Sequence, residues 1–198
     1  MCGIVGFVNN KENKEKIIKD MSKKIEHRGP DGEGFYIDDN CALAHRRLAI
    51  IDLNTGAQPI YNEDKSKVII YNGEVYNFKE LKEALLKKKH VFKTKTDTEV
   101  ILHGYEQWGE KLPSHLRGMF SFAIWDKNKN ELFMARDGFG IKPLYYAKFN
   151  DTFMFASEPK AFLAHPDFEK KLNTDILSAY LCFNSVPTSE TFFKGVYR

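Results

Sequence analysis

The sequence predicts an α+β fold in which antiparallel sheets and helices pack as layers. Three observations indicate this fold: three stretches have apolar residues at helical spacing, short apolar runs recur along the whole chain, and polar turns separate neighbouring runs. The short runs are too numerous for a regular alternation of strand and helix, which would be typical of a parallel sheet. The chain has 198 residues, enough for one core that buries roughly 70% of the surface of the unfolded chain.

The first half of the chain alternates predicted strands with predicted helices. Residues 3–8 are predicted to form a buried strand, and residues 14–27 a helix whose apolar positions recur every three or four residues. Glycine and proline interrupt this pattern at residues 28–32, so a loop is predicted there. The other elements predicted in this half are strands near residues 34–37, 42–46 and 68–71 and a helix over residues 77–88.

Thr96 and Glu99 mark the start of a third helix. Their spacing is that of a capping box, so the helix is predicted to run from there to Trp108. The inward side chains predicted for this helix are Val100, Ile101, Leu102 and Tyr105. Strands are then predicted over residues 120–126, 131–135, 144–148 and 153–156, with a polar turn at residues 126–130 and short helices near residues 159–164 and 174–183.

Charge and hydropathy exclude several classes of function. The formal net charge is +3, with 30 basic and 27 acidic residues interspersed along the chain. This balance gives no basis for binding nucleic acid or a membrane surface. No stretch is apolar enough to span a bilayer, and the N-terminus lacks the layout of a secretory signal. A cytoplasmic protein is therefore expected.

The three cysteines are sparse and have no metal-ligand spacing. We therefore expect a reducing compartment, no disulfide framework and no metal site. Cys41 and Cys182 stand among apolar neighbours and are predicted to be small core residues. Cys2 differs, because it becomes the first residue once Met1 is removed.

An N-terminal cysteine would carry a thiol and a free α-amine on one residue. The reference pKa values of these groups are about 8.5 and about 7.7–8.0, so moving the proton from sulfur to nitrogen costs only about 1 kcal/mol. Such a residue can act as nucleophile and general base together. A cysteine with a separate histidine base stays open as an alternative, since six histidines are present and their spacing favours none of them.

A set of polar residues elsewhere fits the recognition of a zwitterionic amino acid. Asn72 and Gly73 follow an apolar strand and could donate hydrogen bonds to an oxyanion, although Asn-Gly is also a common turn pair. Arg47 could clamp a carboxylate. Glu74 and Asp97 could hold an ammonium group, although the helix dipole favours an acid in a first turn whatever the function. Each of these residues is a weak indication by itself, but together with Cys2 they indicate a site that binds an amino acid and attacks its side-chain amide.

These residues stand in blocks that resemble class II glutamine amidotransferases, whose domains are of the N-terminal-nucleophile type. Within that class the sequence is most similar to glutamine-hydrolysing asparagine synthetases. The blocks follow one another in order over essentially the whole chain. They are Met1-Cys2-Gly3-Ile4-Val5-Gly6, His27-Arg28-Gly29-Pro30-Asp31-Gly32, Leu43-Ala44-His45-Arg46-Arg47-Leu48-Ala49-Ile50-Ile51-Asp52, Gly56-Ala57-Gln58-Pro59, Tyr71-Asn72-Gly73-Glu74-Val75-Tyr76-Asn77, Thr96-Asp97-Thr98-Glu99-Val100-Ile101, Gly118-Met119-Phe120-Ser121-Phe122-Ala123, Arg136-Asp137, Gly140-Ile141-Lys142-Pro143-Leu144-Tyr145-Tyr146 and Ala156-Ser157-Glu158.

The resemblance implies a four-layer αββα sandwich that hydrolyses L-glutamine to glutamate and ammonia through a Cys2 thioester. It implies that Asn72 and Gly73 form the oxyanion hole and that residues 28–31 lie beside the nucleophile. The residues that it implies for binding glutamine are Arg47, Leu48, Ala49, Ile50, Ile51, Asn72, Gly73, Glu74 and Asp97.

The resemblance also implies a larger protein. Residues 1–198 would form one glutaminase domain that is followed by a C-terminal synthetase domain, because no Ser-Gly-Gly phosphate loop occurs here. That second domain would use ATP and Mg²⁺ and the ammonia to convert aspartate to asparagine, while the glutaminase domain needs no cofactor. A homodimer is left open. The alternative function is a non-catalytic glutamine-binding or assembly module, which would bind glutamine without releasing ammonia.

Overall fold

The computed structural model describes residues 1–9, 12–49 and 56–198. The strands described are β1 (Gly3–Val8), β2 (Gly32–Ile37), β3 (Cys41–Arg47), β4 (Ile60–Tyr61), β5 (Lys67–Val75), β6 (Gly118–Asp126), β7 (Glu131–Arg136), β8 (Tyr145–Phe149), β9 (Thr152–Ala156) and β10 (Val196–Tyr197). The α-helices are α1 (Lys14–Lys24), α2 (Phe78–Lys87), α3 (Asp97–Trp108) and α4 (Leu177–Phe183). Short 3₁₀ helices cover Glu26–Arg28, Gly109–His115, Pro159–Ala164 and Thr174–Ile176.

The strands form two antiparallel sheets. The first has the order β10-β8-β9-β1-β3-β2, and the second has the order β4-β5-β6-β7. β1 lies inside the first sheet, where Ile4 pairs with His45 of β3 and Val5 pairs with Ala156 of β9. The N-terminal strand is therefore held on both edges, and the residue that precedes it has a fixed place.

Three hydrophobic clusters separate the layers. Alternate residues of a strand point to opposite faces, so Val5 packs toward α1 while Ile4 packs toward the second sheet. In the same way, Ile70 faces the first sheet, and Tyr71 faces α2 and α3. The order of layers is helix, sheet, sheet, helix, and the predicted αββα sandwich is confirmed. β1 and β5 are apolar on both faces because both of their faces are buried.

β5 is longer than predicted, and this corrects one interpretation of the sequence. The strand was predicted to end at Tyr71, but it continues to Val75, with Asn72 opposite Ser121 and Gly73 opposite Phe120 of β6. The Asn-Gly pair is therefore not a turn. Pairing with a neighbouring strand outweighs the turn preference of these two residues.

The start of α3 was predicted correctly, but for the wrong reason. Thr96 occupies the N-cap position, yet its side chain makes no capping hydrogen bond. The Glu99 carboxylate instead accepts hydrogen bonds from the backbone N–H groups of Lys93, at 2.8 Å, and Thr94, at 2.6 Å. Glu99 thus holds the segment that leads into the helix rather than the N-cap residue itself.

One of the two cysteines predicted for the core is not there. Cys41 is fully buried, as predicted, but Cys182 is exposed. Cys182 lies on α4, a helix with no buried residue, where Leu181 and Phe183 are 81% and 68% exposed. The apolar neighbours on which the prediction was based are themselves exposed on this surface helix, and for that reason the prediction was wrong. Among the described residues no helix combines the length and the apolar character that crossing a membrane would need.

Candidate active site

A cleft of about 470 Å³ opens where the apolar layer between the two sheets becomes polar. On the faces of three strands that point into the space between the sheets, apolar residues give way to polar ones. β1 is preceded by Cys2 on the face of Ile4, β3 continues from Leu43 through His45 to Arg47, and β5 continues from Ile70 to Asn72. The start of α3 and the chain between β7 and β8 complete the wall.

Most of the predicted site residues line this cleft. The structure brings together Cys2, Arg47, Leu48, Asn72, Gly73, Glu74 and Asp97. Ala49 does not line it, and its N–H donates to the Asp31 carboxylate at 2.8 Å. Ile50 and Ile51 lie outside the described residues.

Backbone and side-chain contacts fix the position of Cys2. Its Sγ lies 3.5 Å from the Leu48 N–H and 3.8 Å from the Leu48 carbonyl oxygen. Arg28 Nε donates to the Cys2 carbonyl at 3.0 Å. The expectation that residues 28–31 lie beside the nucleophile is therefore confirmed at Arg28.

The residues after β9 hold the same segment. The Ile4 N–H donates to Ser157 Oγ at 3.0 Å, and the Ser157 N–H donates to the Ile4 carbonyl at 2.8 Å. Arg28 Nη1 donates to the Glu158 carboxylate at 3.1 Å. Desolvation raises the pKa of Glu158, but hydrogen bonds from His27, Arg28 and Lys160 outweigh it and leave this pKa below its usual value. Glu158 is therefore a charged anchor for Arg28.

The pairing of β5 explains why Gly73 offers its N–H to the cleft. Gly73 stands opposite Phe120 of β6, but the Phe120 carbonyl accepts from the Asp137 N–H at 2.8 Å and so points toward β7. Phe120 and Gly73 are therefore a non-hydrogen-bonded pair, and the Gly73 N–H points away from β6. On that side β4 pairs with residues 68–69 of β5, well before Gly73.

On this edge of β5, side chains accept hydrogen bonds from the N–H groups of Tyr71 and Val75 but not from the N–H group of Gly73 between them. The Tyr71 N–H donates to Gln58 Oε1 at 2.6 Å, and the Val75 N–H donates to Asp97 Oδ2 at 3.0 Å. Gly73 lies halfway between them, and no acceptor is recorded for its N–H among the described residues. Unpaired backbone N–H groups are rare inside proteins, so this one is available to a ligand oxygen.

The Asn72 side chain supplies a second donor beside the first. Asn72 is 2% exposed, and its Nδ2 has no hydrogen-bond partner among the described residues. An unsatisfied buried donor costs about 1–3 kcal/mol, which a ligand oxygen would recover. Gly73 has no room for a side chain, because a Cβ there would lie 2.3 Å from the Met119 carbonyl oxygen.

Charged side chains line the same cleft. Asp97 Oδ2 accepts from the Tyr71 hydroxyl at 2.7 Å and from the Val75 N–H at 3.0 Å, and neither bond uses Oδ1. Glu74 lines the cleft and is exposed. Arg47 lies against Gly56, where an added Cβ would be 2.8 Å from Arg47 Nη2. Two acids and a guanidinium thus face one space, as predicted for binding an ammonium and a carboxylate.

His45 is the histidine that lines the cleft among the described residues. Burial lowers its pKa to about 4, with a smaller opposing effect from a hydrogen bond to the Tyr71 backbone. A group with this pKa holds a proton poorly at neutral pH and is a weak general base. The contacts recorded for Cys2 Sγ are with Leu48, not with a histidine. The arrangement favours the cysteine's own amine over a separate histidine base.

Comparison with known proteins identifies the chain. Residues 1–198 match the family described as glutamine amidotransferase domain. The chain belongs to this family. Asparagine synthetase [glutamine-hydrolyzing] 1 of Bacillus subtilis is 45% identical over 204 residues, which cover all of this chain and 32% of the relative. Asparagine synthetase [glutamine-hydrolyzing] 3 of Arabidopsis thaliana is 46% identical and is matched over 81% of this chain and 28% of its own length. The chain thus spans about a third of the curated relatives that it matches.

A solved amidotransferase confirms the fold. The structure of glutamine phosphoribosylpyrophosphate amidotransferase from B. subtilis superposes with a TM-score of 0.70 at 23% identity, over 87% of this chain and 45% of that one. At this identity the likeness concerns the fold alone. The resemblance to asparagine synthetases that the sequence blocks indicated is confirmed by the curated relatives.

Several residues of this amidotransferase cleft were not predicted as site residues. Gln58 bridges β5 and α3, since its Oε1 accepts from the Tyr71 N–H at 2.6 Å and its Nε2 lies 3.4 Å from Thr98 Oγ1. Lys142 reaches the cleft from the chain between β7 and β8. Both residues stand within the sequence blocks quoted above, so the sequence did mark them. The direction in which their side chains point depends on strand pairing that the sequence does not reveal.

Proposed function

We propose that this amidotransferase domain hydrolyses L-glutamine with Cys2 as nucleophile and Asn72 and Gly73 as oxyanion hole. The observation that carries the proposal is the placing of two donors without acceptors, Asn72 Nδ2 and the Gly73 N–H, in the cleft that holds the Cys2 thiol. Donors aimed at a developing oxyanion are among the largest contributions to acyl-transfer catalysis.

The first step forms a thioester and releases ammonia. Once Met1 is removed, the Cys2 α-amine accepts the thiol proton, and the sulfur attacks the carbonyl carbon of the glutamine side chain. Asn72 and Gly73 stabilise the oxygen that becomes negative. As the C–N bond breaks, the proton held by the α-amine passes to the leaving nitrogen, which departs as ammonia.

The second step restores the enzyme. Water attacks the thioester, the α-amine accepts its proton, and the thiolate leaves and is reprotonated, so glutamate and the free thiol result. Throughout both steps Arg47 would hold the α-carboxylate of the substrate, while Glu74 and Asp97 would hold its α-ammonium. Leu48 supports the sulfur through its backbone, and a part in substrate binding for Ala49, Ile50 and Ile51 remains a prediction.

We further propose that the ammonia serves a C-terminal synthetase domain that converts aspartate to asparagine with ATP and Mg²⁺. The names of the matched relatives support this acceptor, and the chain spans only 32% of the first of them. A cytoplasmic location remains a prediction from the sequence, and a homodimer stays open.

Replacing the nucleophile tests the glutaminase proposal. Cys2→Ala is expected to abolish ammonia release from glutamine while circular dichroism and thermal unfolding stay unchanged. Cys182→Ala is the matched control, because it removes an exposed thiol on α4 that does not line the cleft, and it should retain full activity. Undiminished turnover in Cys2→Ala would refute the assignment.

The same samples separate the alternative, a non-catalytic module. Calorimetry with glutamine on the unmodified protein, run beside the ammonia assay, would show binding without turnover if the chain were such a module. The proposal instead predicts that both glutamate and ammonia accumulate in equal amounts.

A further inference from the structure

Lys142 is a buried lysine that has no carboxylate partner in the described part of the chain. It is 7% exposed, and its side chain lines the cleft that contains Cys2. The contact recorded for its ammonium among the described residues is the Met1 thioether, with Nζ 3.4 Å from Sδ. Buried lysines are normally paired with an acid, and a thioether is only a weak acceptor. A structural ion pair therefore does not account for Lys142.

The chain around Lys142 is built to hold it in place. The Asp137 carboxylate accepts hydrogen bonds from the backbone N–H groups of Ile141, at 2.9 Å, and Lys142, at 3.0 Å. Arg136 donates to the Lys142 carbonyl at 2.8 Å and to the Gly140 carbonyl at 2.6 Å. The backbone of Lys142 is thus fixed on both sides by the Arg136-Asp137 pair, to which the glutaminase chemistry assigns no role.

Gly140 shows how closely this segment is folded. Its φ of +65° is in the left-handed region that favours glycine. A Cβ at Gly140 would lie 2.7 Å from the Arg136 guanidinium. The neighbouring side chains of Phe139 and Ile141 are 95% and 55% exposed, whereas Lys142 turns inward. In this segment the Lys142 side chain points into the cleft, and the hydrogen bonds to its backbone restrict its movement.

Removal of Met1 changes the surroundings of this ammonium. The thioether leaves, and the α-amine of Cys2 is created beside the space that Met1 occupied. The charged and titratable side chains that share the cleft with Cys2 are Arg47, Glu74, Lys95, Asp97 and Lys142, together with the neutral His45 and Tyr71. Arg28 bonds to the Cys2 carbonyl. The two acids among them, Glu74 and Asp97, are the residues proposed to hold the substrate ammonium.

We propose that Lys142 is a positioning residue of the glutaminase site, whose ammonium disfavours a second positive charge on the Cys2 α-amine and so prepares Cys2 for attack. This inference rests on the proposed function. Before attack, the pair formed by the thiol and the α-ammonium must lose one proton. A nearby cation favours that loss whether the remaining proton resides on nitrogen or on sulfur, because both products carry one positive charge less.

The pH profile of the processed protein tests this role. In Lys142→Met, the acidic limb of kcat/KM is expected to move about one pH unit upward, because the variant removes a cation from the cleft that holds Cys2 and a nearby charge shifts such equilibria by this order. At a pH on that limb, kcat/KM falls about tenfold, and it recovers as the pH is raised. Lys142→Arg keeps the charge and should leave the limb near its original position. Lys148→Met makes the same substitution at an exposed site on β8 and should leave the profile unchanged.

A second measurement does not depend on turnover. The rate at which iodoacetamide alkylates Cys2, followed by mass spectrometry of the N-terminal peptide at each pH, should show the same upward shift in Lys142→Met. Lys142→Gln serves if the methionine variant does not fold, and mass spectrometry confirms in each case that Met1 is absent. Coincident wild-type and Lys142→Met profiles in both assays would overturn the role of Lys142. If Cys2→Ala is inactive in that case, the glutaminase proposal itself still stands.

Discussion

Two buried polar clusters share helix α3 and differ in how their polar groups are satisfied. At the start of the helix, Asp97 faces the cleft, where Asn72 Nδ2 has no partner among the described residues. Farther along, His103 Nδ1 lies 2.8 Å from Glu106, and its Nε2 lies within ion-pairing distance of Glu99, at 3.8 Å. The first cluster holds uncharged donors without an acceptor among the described residues, whereas in the second the donor without a hydrogen bond, His103 Nε2, lies 3.8 Å from the carboxylate of Glu99.

The contrast shows that a shifted pKa alone does not mark a site. Burial lowers the pKa of His103, but hydrogen bonds to Glu106 and Glu99 outweigh it and raise this pKa to about 9. His103, His90 and Glu106 also place ligand-type atoms within 4.8 Å of one another, and a metal ion there would have to displace the proton that the carboxylates favour on the His103 ring. The His103 cluster stabilises the fold, whereas the unpaired donor that lines the cleft, Asn72 Nδ2, marks the chemistry.

The largest effect is expected from removing a donor of the cleft. Asn72→Ala should lower kcat by about 10²–10³, or about 2.7–4 kcal/mol, as the loss of one oxyanion donor does elsewhere. Its unfolding free energy should change by less than about 1 kcal/mol, since the Nδ2 group makes no bond to lose. Steady-state kinetics and urea unfolding measure the two quantities.

Ser121 provides the control for that variant. Ser121 pairs with Asn72 across β5 and β6, and its buried hydroxyl also lacks a partner among the described residues, but it does not line the cleft. Ser121→Ala should therefore leave kcat unchanged. A loss of stability without a loss of rate in Asn72→Ala would assign Asn72 to the structural class instead.

A smaller effect, on stability alone, is expected from the second cluster. The folded-state pKa of His103, about 9, lies above the unfolded value of 6.5, so its contribution is complete below pH 6.5 and is lost as pH rises through 9. The unfolding free energy of the wild type should fall by about 2–3 kcal/mol over that window. Urea unfolding of His103→Gln should lack this part of the slope, with kcat/KM for glutamine unaltered. Parallel pH curves for the two proteins would show that His103 is not charged in the fold.

The smallest effect is expected at the rim of the cleft. Glu74→Gln should raise KM for glutamine about tenfold with kcat little changed, because a charged hydrogen bond contributes about 1.5–3 kcal/mol and an exposed residue such as Glu74 is expected at the lower end of that range. Glu74 is exposed, so thermal stability should stay the same. Glu83→Gln, at an exposed position on α2, is the matched control. An unchanged KM would remove Glu74 from the binding site.

Much of the fold could be predicted because local patterns and tertiary structure agree. β1, α2 and the strands β6 to β9 lie within a few residues of their predicted limits. The sequence itself indicates the position of the cleft. Along one face, β5 changes from apolar Ile70 to polar Asn72, and β3 changes from Leu43 to Arg47. The order of these strands in the two facing sheets depends on long-range pairing, which local patterns do not reveal.

The remaining features depend on contacts that no local pattern contains. The Gly73 N–H is open because Phe120 bonds to β7 instead, which requires the register of three strands. Glu99 looked like a capping residue, but its carboxylate holds residues 93–94. Cys182 was predicted for the core but is exposed, and Lys142 is buried although lysine is rarely buried in proteins. In each case tertiary packing outweighs the preference of the residue type.

The state of the N-terminus tests the central claim most directly. Ammonia release per mole of protein should be measured for samples with Met1 removed and for samples that retain it through inhibition of methionine aminopeptidase, with the processed fraction determined by intact mass. We predict that activity is proportional to the processed fraction and that the Met1-retaining chain has none, since its Cys2 nitrogen is an amide. Equal turnover by the Met1-retaining chain would contradict the account.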